Sequence, residues 1–357
     1  MIRSWPRNTR TLNPVYWGDE TSAARLRGFT ASGNTQAATS VVPVQANGWG
    51  GTPSPAVGSL WESRSAPDLA WASMAWSPQL GIFCIIGGSS LATSPDGVTW
   101  TSSVFTPSSV TSICWSPELG LFCAVRSAGT PTGTRALTSP DGVTWTTRTS
   151  PDNTWNAVCW SPELGLFAAV ASSGTGNRVM TSPDGVTWTT QASAADNSWT
   201  SICWSPELGI FCAGAQNGLT TLIMTSPDGV TWTGRAHASS TTADNICWSP
   251  ELGIFLYIGT NSAISSDGIN WRSTGSVSST ISDLIWVREL SRFYAVDGTS
   301  GFVYSSPDGS NWTRHPVAGA QSWNTIRWSP ELKMLCAVAS TGTGNRIMTS
   351  SDFVLMP

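Results

Sequence analysis

The chain has 357 residues, of which 11% are charged, and its formal net charge at pH 7 is −4. This acidic balance argues against the basic surface of a nucleic-acid-binding domain, so we expect no nucleic acid partner. No apolar run reaches the roughly 18 residues of a membrane span, and the N-terminus lacks the apolar core of a signal peptide. We therefore expect synthesis in the cytoplasm without export by the general pathway.

Residues 1–58 differ in composition from the rest of the chain. Residues 1–28 contain five arginines against two acidic residues, and residues 29–58 are rich in Ala, Gly, Thr, Ser and Pro. Such a composition does not build an independent core. These residues could form a flexible tail, or an arm that becomes ordered against a partner. We favour a docking arm, because Trp5, Trp17 and Trp49 would be costly to leave exposed.

Residues 59–66 are predicted to close the structure that the following repeats build. Trp61 precedes Trp71 by ten residues and Trp76 by fifteen, the same offsets as those of Trp145 from Trp155 and Trp160. Residues 60–62 thus have the register of the final strand of the last unit. A strand donated from the N-terminal side would remove the free edge of that sheet.

From Trp76 onward the sequence repeats a unit of 38 to 45 residues, a period typical of a propeller blade. In the clearest copy the predicted strands are 156–160, 166–170, 178–181 and 186–189. Turns at 161–165 and 182–185 combine Pro with Gly, as hairpin turns do. We predict an all-β, seven-bladed β-propeller over residues 59–357. The seven opening tryptophans are Trp76, Trp115, Trp160, Trp204, Trp248, Trp286 and Trp328.

The second turn of each unit carries a motif, Ser-Pro-Asp-Gly-Val-Thr-Trp, that resembles the Asp-box of BNR-repeat propellers. Here Asp and Gly are adjacent, one residue closer than in the usual Asp-box. The motif also resembles that of propellers in phage tail and capsid-associated proteins. The resemblance implies a structural role, without metal binding or catalysis, for the motif aspartates Asp96, Asp141, Asp184, Asp228, Asp267, Asp308 and Asp352.

The repeats predict two faces of different character. Alternate turns of an up-and-down blade fall on opposite sides, so the near-constant turns form one face and the varied loops the other. We expect recognition on the varied side, because binding residues concentrate on variable loops.

Two sets of residues near that varied side are candidate ligand-binding groups. An extra Trp lies five residues before the opening Trp in four units, where it could stack on sugars or pack between blades. An Arg lies four residues before the motif serine in three units, where it could bind a carboxylate or phosphate or remain a solvated loop residue. These candidates are Trp71, Trp155, Trp199, Trp323, Arg135, Arg178 and Arg346.

The eight cysteines follow the repeat. Cys114–Cys123 and Cys203–Cys212 could be cross-strand neighbours, but other units place non-cysteine residues at the same positions. We expect buried thiols that pack as small hydrophobes. Without any Cys-x-x-Cys pair, and with two histidines in the whole chain, we predict no zinc or other metal and no cofactor.

The sequence favours a binding protein over an enzyme. Sialidases of the Asp-box class use an arginine trio, a Tyr–Glu pair and an Asp acid, and we cannot assemble these groups here. We predict a non-enzymatic virion protein, structural or adhesive, whose residues 1–58 bind other virion proteins and whose propeller binds a partner subunit or a host surface glycan. A sialidase-like enzyme and a cytoplasmic assembly scaffold are the alternatives.

Overall fold

A computed structural model describes residues 57–217, 221–236, 243–259, 261–275, 277–317 and 321–351. Within these residues the predicted seven-bladed β-propeller is confirmed, because seven antiparallel sheets of four strands follow one another around a ring. The innermost strands of the first and last blades contact each other, which closes the ring. The predicted docking arm, apart from residues 57 and 58, and Asp352 lie outside the described residues.

The strands of each blade run outward from the centre of the ring in chain order, except in the seventh blade. The innermost strands are β2 (Ser73–Ser77), β6 (Val110–Ser116), β10 (Trp155–Ser161), β14 (Trp199–Ser205), β18 (Ala243–Ser249), β22 (Ile281–Val287) and β26 (Trp323–Ser329). The second strands are β3 (Ile82–Gly87), β7 (Leu121–Arg126), β11 (Leu166–Ala171), β15 (Ile210–Ala215), β19 (Ile254–Gly259), β23 (Arg292–Asp297) and β27 (Met334–Ala339).

The two outer positions are filled by shorter strands. The third strands are β4 (Ser90–Ser94), β8 (Ala136–Ser139), β12 (Val179–Ser182), β16 (Ile223–Ser226), β20 (Ser262–Ser265), β24 (Val303–Ser306) and β28 (Ile347–Ser351). The outermost strands are β5 (Thr101–Val104), β9 (Thr146–Arg148), β13 (Thr189–Gln191), β17 (Thr233–Arg235), β21 (Arg272–Gly275), β25 (Thr313–His315) and β1 (Glu62–Arg64). One 3-10 turn, Arg288–Leu290, follows β22.

The apolar core lies between neighbouring blades. The second strands read as nearly continuous apolar runs because both of their faces are covered by the adjacent sheets. Phe167 in β11 is fully buried and stacks against Trp160 and Trp188, with ring centroids 4.5 and 6.3 Å away. The outermost strand β13 is mostly exposed, which explains its Thr-Thr-Gln sequence.

The turn between the third and fourth strands, which we call the aspartate turn, is held by one carboxylate. In the third blade, Asp184 Oδ1 accepts from the backbone N–H groups of Val186 and Thr187 at 2.8 and 2.7 Å and from the Ser182 hydroxyl at 3.0 Å. Gly185 follows with φ of 71°, in the left-handed region that glycine tolerates. The six described aspartates, Asp96, Asp141, Asp184, Asp228, Asp267 and Asp308, accept the same bonds.

This geometry corrects one predicted strand boundary. The sequence suggested a fourth strand over 186–189, but β13 begins at Thr189. The backbone N–H groups of Val186 and Thr187 donate to the carboxylate, so they are not free to join the ladder.

The aspartate turns make stability depend on pH. Burial alone would raise the pKa of Asp184, but the backbone N–H groups of Thr187 and Val186 lower it by more, so the pKa lies below its ordinary value of 3.8. A depressed folded-state pKa stabilises the protein above the unfolded-state pKa, and this stabilisation is lost as the pH falls through the folded-state pKa. We expect a constant Tm between about pH 7 and 5 and a steep fall below about pH 4.

Thermal unfolding followed by circular dichroism across pH 7 to 2 would check this expectation. The Asp184→Asn variant is the control, because it removes one titrating group and should flatten the curve slightly. A Tm that stays constant to pH 2 would contradict it.

The predicted closure of the ring is confirmed. Strand β1 pairs antiparallel with β28, with Glu62 opposite Thr349 and Arg64 opposite Ile347. The closure includes an aspartate turn that is divided between the two ends of the propeller. Gly58 N–H donates to Ser350 Oγ at 2.7 Å, and Trp61 Nε1 donates to Gly58 O at 3.0 Å.

Gly97 and Trp100 make the corresponding bonds in the first blade, at 2.9 and 3.1 Å. Residues 58–61 therefore complete the seventh aspartate turn. Val57 is also buried in this blade, and its carbonyl accepts from the Tyr294 hydroxyl at 3.0 Å. The ring thus begins before residue 59, the predicted start.

Candidate functional site

A central channel of about 1050 Å³ runs along the axis of the ring. Its wall is made by the seven innermost strands, whose side chains here are mostly small and polar or are thiols. The opening tryptophans, among them Trp76 and Trp115, and the prolines two residues after them lie at one mouth. Such a channel is a candidate ligand-binding cavity.

Most polar groups of the channel wall already bond to the next blade. Ser73, Ser112 and Ser201 each accept from a backbone N–H of the following innermost strand, at 3.0 to 3.2 Å. Asn156 and Asn324 each donate to a backbone carbonyl of the following blade, at 2.8 Å. These bonds join the blades, so they leave few free groups for a ligand.

The repeat changes between the sixth and seventh blades. There Asp283 and Arg327 stand at positions that are uncharged in the other blades, and they form an ion pair at 2.5 Å. Asp283 also accepts from the Thr325 hydroxyl at 2.6 Å and from the Ile326 N–H at 2.9 Å. The pair is therefore satisfied within the wall and performs the inter-blade bonding that serines provide elsewhere.

The cysteines are free thiols in two groups, of which one is buried, as the packing interpretation predicted, and the other is only partly buried. Cys114 lies opposite Cys123, and Cys203 opposite Cys212, in the strand registers. Burial raises the pKa of Cys114 to about 12, so that thiol stays protonated near neutral pH. The fully buried cysteines are Cys84, Cys123, Cys212 and Cys336, and those on the channel wall are Cys114, Cys159, Cys203 and Cys247.

The tryptophans predicted as a sugar platform are internal. Trp71, Trp155, Trp199 and Trp323 each have 0% of their surface exposed. Trp155, for example, packs against Cys123 and Val125 of the preceding blade. A ring without exposed surface cannot stack on a sugar, so the structure contradicts the stacking interpretation and supports packing between blades.

The arginines predicted as anion ligands also bind within the chain. Arg178 donates to the carbonyls of Gly174 and Asn197 at 2.8 Å and pairs with Asp196 at 3.5 Å. Its side chain is 15% exposed. In the other two units, Arg135 pairs with Asp152 at 2.8 Å, and Arg346 pairs with Asp68 at 3.9 Å.

Each of these arginines therefore links its own loop to the linker that leads into the next blade. This arrangement contradicts both the ligand role and the solvated-loop alternative, because most of each guanidinium is already covered by the chain.

The opposite face, formed by the turns after the first and third strands, carries a ring of hydrogen bonds. We call it the constant face. In six of the seven described blade junctions, an opening Trp donates its Nε1 to a carboxylate or amide oxygen of the preceding blade, at 2.5 to 2.8 Å. The pairs are Trp76–Glu331, Trp115–Gln79, Trp160–Glu118, Trp204–Glu163, Trp248–Glu207 and Trp286–Glu251.

Two sets of exposed apolar side chains lie on the constant face of blades one to five. In each of these blades one leucine follows the Glu or Gln of the first turn and is 38–42% exposed, and one Val or Ile in the aspartate turn is 41–50% exposed. They are Leu80, Leu119, Leu164, Leu208 and Leu252, with Val98, Val143, Val186, Val230 and Ile269. Of the twelve large exposed hydrophobic residues in the described ranges, these are ten.

The other two large exposed hydrophobic residues lie on different faces. Leu60 belongs to the divided aspartate turn and so lies on the constant face, whereas Val104 ends an outermost strand on the varied side. Of the twelve large exposed hydrophobic residues in the described ranges, eleven therefore lie on the constant face.

The groups that a sialidase reaction would need are placed elsewhere. Tyr257 and Tyr294 are buried between blades and donate to backbone carbonyls. Glu163, Glu207 and Glu251 bind tryptophan indoles on the constant face. In the described ranges, no three His, Cys, Asp or Glu side chains are grouped so as to hold a metal ion. None of the helical segments described there has the length and apolar character to span a membrane.

Solved structures with the same architecture support the fold. The structure of YCF48 bound to D1 peptide matches with a TM-score of 0.59 and 16% identity, covering 82% of this chain and 94% of that one. A chain of the mitotic checkpoint complex matches with a TM-score of 0.64 and 12% identity, covering 91% and 99%. No protein-family model and no curated protein matches the sequence. At these identities the similarity shows the fold alone.

Proposed function

We propose that the chain is a non-enzymatic structural protein of a virion whose propeller binds a partner protein through the constant face. The observation that carries the proposal is the concentration of exposed leucine and valine side chains on that face. Leaving these side chains in water is unfavourable, and a partner that covers them gains about 25 cal/mol for each Å² of apolar surface removed from water.

This site differs from the one that the sequence suggested. The varied loops were expected to recognise the ligand, and the glycan interpretation depended on the four inter-blade tryptophans. Those side chains are buried, and the varied-side arginines are bound within the chain. A protein partner on the constant face is therefore favoured over a glycan on the varied face.

The solved neighbours fit a polypeptide partner. One of them is bound to a peptide, and the other is a component of a multiprotein complex. The proposal for this chain does not assume the same surface, because the identities are 16% and 12%.

The virion location remains a prediction from the sequence. Mass spectrometry of purified particles is expected to find the chain as a stoichiometric component. Its absence from particles would remove the virion from the proposal but would leave the binding face to be tested separately.

The binding face is tested by replacing three central leucines. We expect the L119S/L164S/L208S variant to fold normally, since these side chains are already about two-fifths exposed, and to lose association with the native assembly. Val104→Ser is the matched control, because Val104 is 91% exposed on the varied side. Co-sedimentation of tagged chain with the assembly measures the association, and circular dichroism confirms folding.

A further inference from the structure

We propose that the partner docked on the constant face is a basic polypeptide that contributes apolar side chains between its cationic ones. This inference rests on the proposed function and adds the chemistry of the partner. It follows from the charges that accompany the exposed leucines and valines, and from the point on the ring at which cations first appear among them.

In blades one to five, acidic groups stand beside the apolar side chains. Each aspartate turn places its Asp two residues before the exposed Val or Ile, and four of the five first turns place Glu directly before the exposed Leu. We call this surface the acidic arc. Its carboxylates are Asp96, Asp141, Asp184, Asp228 and Asp267 with Glu118, Glu163, Glu207 and Glu251.

The turns that make up the acidic arc contain no lysine or arginine. Of the nine carboxylates only Glu251, at the end of the arc, is paired with an arginine of the described ranges, Arg288, so the arc as a whole has a negative potential over its apolar side chains. Because electrostatic complementarity selects partners and steers their approach, the arc favours a partner whose surface is positive.

The arc ends where the repeat changes. In blade six the first turn is Arg288–Leu290, and Ser310 takes the place of the exposed valine. In blade seven Lys333 replaces the glycine of the first turn. Arg288 is 71% exposed and pairs with Glu251. The constant face thus has an acidic and apolar sector in blades one to five and a sector that contains cations in blades six and seven. A basic partner is therefore confined to blades one to five.

The same charges argue against two other occupants. A second copy that met the first face to face would bring like-charged carboxylates together, which is unfavourable. An anionic lipid surface would be repelled for the same reason.

Blade one shows that glutamine can make the same inter-blade bond as the arc glutamates without their charge. In blade one the position of the arc glutamates is occupied by Gln79, whose Oε1 accepts from Trp115 Nε1 at 2.7 Å. Glu118 accepts from Trp160 at 2.6 Å in the same manner. A Glu→Gln change at the arc positions should therefore keep the inter-blade bond and remove one negative charge.

The experiment measures binding of a synthetic peptide of alternating lysine and leucine to the full chain by calorimetry. Its acidic twin alternates glutamate and leucine. The test variant is E118Q/E163Q/E207Q. The control variant, E62Q/E289Q/E331Q, removes the same net charge at positions outside the arc. Binding of the chain to vesicles of zwitterionic or anionic lipid tests a lipid surface as the occupant. Light scattering of the free chain tests a second copy as the occupant.

We expect the basic peptide to bind and its acidic twin not to bind. The arc variant should bind about tenfold more weakly at low salt, since three exposed charge pairs together contribute about one decade in affinity. The control variant should bind as the wild type does. The difference should disappear near 0.5 M salt, where screening shortens the range of exposed charges.

Equal binding by the arc variant, or by the acidic twin, would overturn the basic partner. Vesicle binding in place of peptide binding would overturn it as well, and so would dimers that the L119S/L164S/L208S variant abolishes. The proposed function fails separately, if the leucine variant retains full association with the native assembly.

Discussion

Replacing Trp155 with alanine is expected to lower the free energy of unfolding by about 3–5 kcal/mol, the range for removing a buried Trp. The side chain is fully buried between the second and third blades, against Cys123, Val125 and Met180, and its Nε1 donates to Pro151 O at 2.9 Å. The void would adjoin two sheets, so neither sheet could close it alone. Urea unfolding followed by circular dichroism measures the change.

Trp188→Ala is the matched control within the same blade. Trp188 closes the aspartate turn, is partly exposed and bonds Gly185 O at 3.0 Å, so its loss should cost less than that of Trp155. Equal losses for the two variants would mean that burial between blades does not provide the main stabilisation of the ring.

Deleting residues 57–64 is expected to lower the Tm sharply and to promote aggregation. The deletion removes β1 and the second half of the divided aspartate turn, including the Gly58–Ser350 and Trp61–Gly58 bonds. Strand β28 would then present an unpaired edge, which is a template for pairing with other chains. Scanning calorimetry together with light scattering would show both effects.

A point variant compares the divided turn with an uninterrupted one. If residues 58–61 replace the missing half of a turn, Trp61→Ala should cost about as much as Trp100→Ala, which removes the corresponding indole in the first blade. A Tm unchanged by the deletion, or a Trp61→Ala variant without effect, would contradict the closure.

The architecture could be predicted because every blade repeats the same pattern of turn residues, apolar strand and tryptophans. The Pro and Gly positions of the turns, the apolar second strand and the two Trp positions recur at one period, and each has the role that its chemistry suggests. The closure could also be predicted, since Trp61 stands ten residues before Trp71, as Trp145 stands before Trp155.

The candidate binding residues could not be assigned in this way. Period alone places Trp155 at the start of a strand, but whether the indole points to solvent or to the neighbouring blade depends on the packing of two sheets. The ion pairs of the arginines could have been inferred from the sequence. Asp68, Asp152 and Asp196 each stand three residues before an inter-blade Trp, and each pairs with one of these arginines.

The near-constant turns of the constant face do more than form hairpins. The glutamate of the first turn recurs because it also bonds to the next blade. Glu163, for example, accepts from Trp204 Nε1. Leu164 beside it has no such internal role and is 41% exposed. An apolar residue repeated at an exposed turn position was the available signal for an interaction surface.

Docking on the constant face is tested most directly by the share of the L119S/L164S/L208S variant that co-sediments with the native assembly. We expect that share to fall at least about tenfold below that of Val104→Ser, with the Tm of both variants close to that of the wild type. Equal co-sedimentation of the two folded variants would contradict docking on this face.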